Sequence, residues 1–494
     1  MLLKILIDAV IVALSICAAA VVAIRLWCGL TRRRNAVGFF HPYCDQGGGG
    51  ERVLWCIVKA VCQHQDQAEA KTSRPVLIYT HSPASSADIL GHVKKRFGID
   101  VTAFGSHIEF VRVGWIWLVE ARSYPRFTLL GQSAGSALLA LRALLQRCPS
   151  VFVDTTGFAF SFPVAKYLAG CKVSAYVHYP TISTDMLTLV ASRTAAYNNA
   201  AFIAASQALT RSKVAYYRLM AGLYGWAGRC ADRCVVNSGW TQRHIEHIWG
   251  VPVKVVYPPC DLAAFKVPPQ PQKGQPQPQH SRRNRIVSVA QFRPEKNHQL
   301  QVEAFARLLA DSDSPPLPQD TELHLPQDTE LHLYGSTRNE ADERIVSQLR
   351  ALCRQRRVDD RVHFHLNAPM DTLIHDLHQA KAAVHTMVSE HFGISLIEFL
   401  AAGLVVIAHN SGGPRDDILN PSLNDGRQIG FLCDSPAEFA ECMRAAILRF
   451  DDPEMVAMRA DAQRSLSRFL DNERFGQECC RQLGLLRCSS LSDT

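Results

Sequence analysis

Two carboxylates with seven residues between them, Glu390 and Glu398, lie in the run Glu390-His391-Phe392-Gly393-Ile394-Ser395-Leu396-Ile397-Glu398, which continues into Phe399-Leu400-Ala401-Ala402-Gly403. The apolar run Ala382–Thr386 before them reads as a strand, so Glu390 falls on a loop, Gly393 at a turn, and Glu398 inside a helix. Eight helical steps would separate the acids by about 12 Å along an axis. That suits the two ends of one extended ligand. It does not suit the close carboxyl pair, about 5 Å apart, of a double-displacement glycosidase. The helix start at Gly393 and Ile394 offers free amides and a positive dipole to a diphosphate. Alone, the spacing would read as a capping acid and a solvated helical glutamate; the strand-loop-glycine-helix context makes it a binding element.

Glycines punctuate two further loops. Gly47–Gly50 follows the strand candidate Val37–Phe40 and precedes a helix beginning near Arg52. Backbone at Gly48, Gly49 and Gly50 can approach a ligand closely, beside His41 and Glu51-Arg52. It is not a Walker A loop, because no Gly-Lys-Ser/Thr follows, and it is not a clean dinucleotide fingerprint. Ser411-Gly412-Gly413, after the strand candidate Val405–Ala408, reads as a turn bringing amides to the same ligand. The Asp-x-Asp match Asp311-Ser312-Asp313 lies in a polar stretch and reads as solvated, so no obligatory metal is expected.

The elements that must position these residues alternate. Val37–Phe40, Val76–Tyr79, Ile108–Val113, Val151–Asp154, Val173–Val177 and Cys234–Val236 read as buried strands, with helix-length segments such as Arg52–Cys62 and Ser136–Gln146 between them. After Pro258-Pro259 comes a stretch rich in proline and glutamine, Pro268–His280, which reads as a solvated linker. A second series follows: strands Ile286–Ala290, Leu331–Tyr334, Val362–His365, Ala382–Thr386 and Val405–Ala408, and helices Gln299–Leu309, Glu340–Arg354, Met370–Gln379 and Ile394–Ala402. Amphipathic helices Pro436–Phe450 and Glu454–Leu470 close the chain. The expected fold class is α/β, with two Rossmann-like domains facing across a cleft and ligand bound at the carboxyl ends of the strands. The boundaries are 1–34 for an anchor with its basic flank, 35–262 for the first domain, 263–284 for the linker, 285–435 for the second domain and 436–494 for terminal helices. The octapeptide LPQDTELH occurs twice, at Leu317–His324 and Leu325–His332; it reads as a duplicated surface loop leading into the Leu331–Tyr334 strand, or as a gene-model artefact, and as carrying no chemistry. The mostly apolar Val111–Val119, with Trp115 and Trp117, reads as core more readily than as a membrane-touching edge.

At 494 residues the chain is long enough for two or three domains. Its net charge of +8 is modest and spread out, without the dense basic stripe of a nucleic-acid-binding surface. Ile5–Ile24 is apolar except for Asp8 and Ser15, and about 20 residues span a hydrocarbon core of roughly 30 Å. Arg25, Arg32, Arg33 and Arg34 on one side against Lys4 on the other place everything after residue 34 in the cytosol. Apolar residues beyond Ala18-Ala19-Ala20, and the arginines after them, favour an anchor over a cleaved signal peptide. The 16 cysteines form no disulfide framework or paired zinc arms, and no N-x-S/T acceptor without proline occurs. Both fit a cytosolic body. The run Phe392–Ile407 is split by Glu398 and Gly403 and is not a span.

With these features the sequence resembles the retaining nucleotide-sugar glycosyltransferases of the GT-B fold. Within them it is similar to the dolichol-pathway α-1,2-mannosyltransferases that add the fourth and fifth mannoses of the lipid-linked oligosaccharide. The carrying stretches are Gly38–Trp55, Tyr124–Ser133, Tyr176–Leu187, Val235–Thr241, Val289–His298, His385–Gly403 and Ala408–Ile418. The spaced glutamates carry only the broad class; HPYCDQGGGGER and VHYPTISTDML carry the narrow one.

The resemblance implies GDP-mannose as donor, with no separate cofactor, and a dolichyl-diphosphate oligosaccharide as acceptor. It implies work on the cytosolic face of the endoplasmic reticulum membrane, with other mannosyltransferases of that pathway as partners. It also implies roles: Glu390 on hydroxyls of the donor mannose, Glu398 on the nucleotide ribose, Lys296 on the departing diphosphate with Arg293 assisting, and His178 against the donor sugar. A lysine point charge and an arginine fork can stabilise that departure without a metal. The family places its arginine two positions earlier, where this chain has Gln291. For His178 the plain alternative is a packed or capping residue, and the functional reading is favoured over it. No residue declares itself a covalent nucleophile, so same-face substitution is expected. Two other readings remain: another nucleotide-sugar and lipid acceptor on the same fold, or an inactive membrane scaffold.

Overall fold

The computed structural model of the chain describes residues 2–66, 75–182, 207–266, 282–310 and 324–486. It divides into two compact units, Met1–Asn237 with Thr241–Pro259 and Asn472–Thr494, and Ser238–Trp240 with Cys260–Asp471. The segment Pro268–His280, the triplet Asp311–Asp313, most of the first octapeptide copy and residues 183–187 of the Tyr176–Leu187 stretch lie outside the described residues.

The first unit is built on a seven-stranded sheet: β1 (Val37–Phe40), β2 (Val76–Thr80), β3 (Ile108–Arg112), β4 (Val151–Asp154), β5 (Lys172–Val177), β6 (Arg233–Val236) and β7 (Lys254–Val255), in the order β3-β2-β1-β4-β5-β6-β7. Every pairing is parallel. Parallel strands are covered on both faces, which is why β1 and β2 read as unbroken apolar runs and are buried throughout. Helices α1 (Leu2–Leu30), α2 (Gly49–Asp66), α3 (Ser86–Phe97), α4 (Thr128–Gln146), α5 (Gln207–Gly228) and α6 (Gly239–Trp249) follow in chain order. Ser85 caps α3 by accepting from the Asp88 amide, and Gly98, at φ 68°, ends it in the left-handed conformation. The core joins Phe40, Tyr79, Leu139, Leu144, Phe152, Phe162 and Trp249.

The second unit carries a six-stranded parallel sheet: β8 (Arg283–Val289), β9 (Glu330–Gly335), β10 (Val362–Leu366), β11 (Ala380–His385), β12 (Val405–His409) and β13 (Phe431–Cys433), in the order β10-β9-β8-β11-β12-β13. Its helices are α7 (His298–Ala310), α8 (Glu340–Arg356), α9 (Met370–Gln379), α10 (Ile394–Ala401), α11 (Pro436–Leu448) and α12 (Pro453–Ser465). Its core runs through Phe292, Phe305, Leu331, Leu333, Val384, Ile407, Phe439 and Met443. In each sheet the strand order reverses once, between β1 and β4 and between β8 and β11. At such a reversal the loops after neighbouring strands leave in opposite directions and open a crevice for ligand.

The structure departs from the expected organisation in several places. The final helix α13 (Asn472–Gln482) belongs to the first unit instead of closing a C-terminal group with α11 and α12. It packs on α2 so closely that a Cβ at Gly476 would lie 2.4 Å from the Cys56 carbonyl. β8 begins at Arg283, inside the stretch read as linker. Trp115 and Trp117 are exposed, not core; Leu118 and Val119 bury instead. α1 is apolar and long enough to cross a membrane over Ile11–Leu30. Its end is fastened to the first unit: Arg25 donates to the Tyr167 carbonyl, Trp27 to that of Leu145 at 3.0 Å, and Arg32 to that of Gly170 at 3.0 Å. The apolar helix α4 also has the length of a span, but Leu139, Ala140, Ala143 and Leu144 on it are buried in the core.

Candidate active site

In the second unit the loops after β8 and β11, on either side of the reversal, bring Lys296 to Glu390 across 94 positions of sequence. Lys296 Nζ lies 2.6 Å from Glu390 Oε2 and 3.0 Å from Met387 Sδ. His385, the last residue of β11, places Nε2 3.0 Å from the same Glu390 oxygen. The other oxygen accepts from the His391 amide at 3.1 Å. Burial by itself would raise the Glu390 carboxyl. The hydrogen bond from His385 and the Lys296 charge outweigh it and hold the acid well below the usual carboxylate range. The neighbouring His298 is driven the other way, down to about 4, by burial and by the nearby His385 and Lys296. It is therefore neutral, and Lys296 supplies the positive charge there.

The backbone around this pair is held in unusual conformations. Asn297 at φ 51° and Ser389 at φ 54° are left-handed without being glycine. Thr386 Oγ1 ties down the first loop by donating to the Lys296 and Asn297 carbonyls at 3.0 and 2.9 Å. Ser411 Oγ ties down the second by accepting from the Ser389 amide at 2.8 Å. Gly412, at φ 60°, and Gly413 permit a close pass: added Cβ atoms would lie 2.3 Å from the Glu390 carbonyl and 2.5 Å from that of Phe392. The Gly413 amide donates to the Glu390 carbonyl at 2.7 Å. Gly393, at φ 102°, turns the chain into α10, whose first amides from Ile394 onward carry the positive end of the helix dipole. Glu398 is half-buried within α10.

In the first unit the loops after β1, β4 and β5 converge in the same way. His41 Nδ1 is 2.7 Å from Thr155 Oγ1, and His178 Nε2 is 3.2 Å from the Thr155 carbonyl. Asp154 shapes that loop by accepting from the Gly157 amide at 2.8 Å and the Thr156 hydroxyl at 2.7 Å. α2 starts at Gly49, earlier than expected, so Gly49 and Gly50 are helical and Glu51 sits in the first turn. A Cβ on Gly50 would stand 3.6 Å from His178 Nε2, and one on Gly49 would meet open space. A Cβ on Gly48 would come within 2.7 Å of Glu51 Oε2. Glu51 Oε1 lies 3.8 Å from His41 Nε2; despite burial, which raises it, the carboxyl is held low by His41.

The structure thus collects Lys296, Glu390, Gly393, Ile394, Gly412 and Gly413 in one place, and His178 with Gly50 in another. Arg293 stands apart. Its ion pair is with Glu295 at 3.8 Å, and with Pro294, Asn297 and His298 it lines a cavity of about 360 Å³ against α8. Gln291, at the position where the family keeps an arginine, pairs with Arg338 at 3.3 Å. Sequence reasoning gave no role to His385 or Thr155. Each is a strand end or the loop residue after one, the positions where this fold places ligands, and that was the signal available.

The family described as "ALG11 mannosyltransferase N-terminus" matches residues 34–249, and "Glycosyl transferases group 1" matches residues 270–463. The mouse protein named GDP-Man:Man(3)GlcNAc(2)-PP-Dol alpha-1,2-mannosyltransferase is 43% identical over 445 residues, covering 90% of this chain and 85% of that protein. The chain belongs to this mannosyltransferase family. Proteins of the same name from human, at 42% identity, and from Dictyostelium discoideum, at 39%, match over 90% and 88% of this chain and 85% and 82% of their own lengths. Its fold is GT-B. Sucrose-phosphate synthase from Thermosynechococcus elongatus superposes with a TM-score of 0.58 at 15% identity, over 92% of this chain and 100% of that one. Anabaena Alr3699/HepE in complex with UDP-glucose gives 0.56 at 15% identity, over 91% and 99%.

Proposed function

We propose that the chain transfers mannose from GDP-mannose, in α-1,2 linkage and with retention, onto dolichyl-diphosphate oligosaccharide as its fourth and fifth mannoses. The observation that carries the mechanism is the Lys296–Glu390–His385 cluster beside the start of α10. In the reaction the bond from the anomeric carbon to the diphosphate breaks, and its electron pair leaves with GDP. Lys296 and the α10 amides from Gly393–Ile394 onward stabilise that negative charge. Glu390, kept ionised, orients the mannose through its hydroxyls, Glu398 holds the ribose, and His178 contacts the donor sugar. The acceptor hydroxyl attacks the same face, and its proton passes to a leaving phosphate oxygen. No metal is required, because Lys296 already places a cation where the charge develops. Arg293 has the weakest claim to a phosphate contact, given its pairing with Glu295.

The reaction belongs at the endoplasmic reticulum membrane. α1 serves as a single-pass anchor, and Arg32, Arg33 and Arg34 after it favour a cytosolic body. Other mannosyltransferases of the pathway would meet the chain there. Membranes containing the chain, given a trimannosyl lipid acceptor and labelled GDP-mannose or UDP-N-acetylglucosamine in turn, test the reading. Label should pass from GDP-mannose alone and lengthen the acceptor by two residues. Transfer from the other donor, or a Glu390→Ala chain as active as the unaltered one, refutes it. A trapped mannosyl–Glu390 adduct would refute the same-face mechanism while leaving the substrates in place.

A further inference from the structure

The second copy of the repeated octapeptide runs into β9. Its Glu330 and His332 alternate with buried residues along β9 and therefore share one face. β10 runs parallel and in register, with His363 opposite His332 and His365 opposite Tyr334, so these side chains join that face. Glu330 Oε2 lies 2.9 Å from His332 Nε2, and Glu330 Oε1 lies 3.4 Å from His363 Nε2. One ligand atom from each of the three residues falls within 4.8 Å of the others. We propose that Glu330, His332 and His363 form a binding site for a divalent transition-metal ion of the zinc class, separate from the donor site.

Zinc takes imidazole nitrogen and carboxylate oxygen at about 2.0–2.2 Å, so two ligands on a tetrahedral ion stand about 3.3 Å apart. Separations of 2.9 and 3.4 Å need only small side-chain movements to admit the ion. His332 is supported from behind: its Nδ1 is 2.9 Å from His365 Nε2, and the His365 ring stacks on Tyr334 at 4.1 Å. Such a partner on the far nitrogen fixes the ring and leaves Nε2 for the metal. Charge balance favours a cation. The nearest positive group, Arg285 on β8, bonds Asp376 of α9 at 2.7 Å and stands 3.9 Å from Glu330. Arg285 binds Asp376 more closely than it approaches Glu330, so the Glu330 carboxylate is the less compensated of the two acids and stands among three imidazoles. Glu330, 38% exposed, gives the ion an entry path, while His332 at 6% and the buried His363 Nε2 give it sheltered ligands. The site lies toward the amino ends of β9 and β10, whereas Lys296 and Glu390 follow the carboxyl ends of β8 and β11. Occupancy would tie these two strands together without touching transfer.

The full chain, purified in detergent and stripped with a chelator, would be titrated with zinc chloride by calorimetry alongside His363→Ala and Glu330→Gln. His332 is left intact, since its burial makes loss of fold a confounding result. The unaltered chain should take up one zinc that each variant binds at least about tenfold more weakly. Mannosyl transfer by the variants should be unchanged, certifying that they are folded. Cobalt in place of zinc should give a spectrum of nitrogen and oxygen ligation with no thiolate charge-transfer band, which separates this ion from any held by cysteines. Equal affinity in all three proteins, or no uptake by the unaltered chain, would show a cluster closed by protons alone and overturn the proposal.

Discussion

Replacing Lys296 by methionine keeps the length of the side chain and removes its charge, leaving the buried Glu390 carboxylate without its cation. At 2.6 Å and an effective dielectric of about 20, the raw attraction is roughly 6 kcal/mol. Desolvation of both groups offsets much of this, and breaking such a pair from one side costs about 3–5 kcal/mol. Glu390 retains His385 at 3.0 Å and the His391 amide at 3.1 Å, which places the loss near the lower end, about 3 kcal/mol. In a unit of this size that lowers the melting temperature by about 6–12 °C. Glu390→Gln leaves only the more exposed Lys296 unpaired and should cost less. The double variant should recover much of the stability, with a coupling energy of about 1.5 kcal/mol or more. It should not recover transfer, which loses about 10²–10³-fold in kcat once the cation at the leaving phosphate is gone. Calorimetry of the four proteins and kcat with GDP-mannose are the measurements. Additive stabilities would refute the pairing, and a double variant regaining transfer would refute the role of Lys296. The pH dependence has a fixed sign. Glu390 titrates lower folded than its ordinary value of 4.5, so its contribution is complete above that value and is lost as pH falls through the depressed one. The stability gap between the parent and Lys296→Met should therefore narrow below about pH 4.5.

Two further substitutions and a truncation probe the glycines and the last helix. Gly412→Ala adds left-handed strain of about 1–2 kcal/mol. Its Cβ would also sit 2.3 Å from the Glu390 carbonyl. The displaced Glu390 loop should lower kcat/KM at least about 100-fold, and an active Gly412→Ala enzyme would mean the loop can yield. Gly49→Ala meets open space at the start of α2, so its melting temperature should hold or rise. Its KM for donor or acceptor should increase, and unaltered kinetics would remove Gly49 from the substrate-binding set. Ending the chain at Asp471 exposes the α2 surface now covered by Phe475, Cys479 and Cys480. It should destabilise the first unit by about 4 kcal/mol or more, and a truncated protein with an unchanged melting temperature would show α13 to be dispensable.

The parallel sheets were legible because strands buried on both faces leave continuous apolar runs, and Val37–Phe40, Val151–Asp154 and Met370–Gln379 fall where patterning put them. β7, with two residues, and β13, with three, are too short to leave a period. The placement of α13 was hidden for another reason. Its buried Phe475, Cys479 and Cys480 announce an apolar face, but nothing local says that the face meets α2 some 420 residues earlier. At the site, Glu390 was legible from its loop and Gly393. Its pairing with Lys296 came from topology, because β8 and β11 are neighbours only once the sheet order is known.

The same topology accounts for why these charges suit a transfer. As the bond to the diphosphate lengthens in the proposed reaction, negative charge gathers on the phosphate oxygens and positive charge on the sugar ring. The site already holds a cation and an anion side by side, Lys296 against Glu390 on the loop before α10. Of the three Lys296 protons, Glu390 and Met387 occupy two, which leaves a third for a phosphate oxygen without breaking the pair. Glu390 need not be freed to meet the mannose either, because His385 and the His391 amide keep it ionised and fixed while the ammonium is shared. Such an arrangement costs little reorganisation when the charges separate, and its benefit is greatest in the transition state. Glu390→Gln should therefore depress kcat far more than it raises KM for GDP-mannose; an effect confined to KM would make Glu390 a ground-state ligand only.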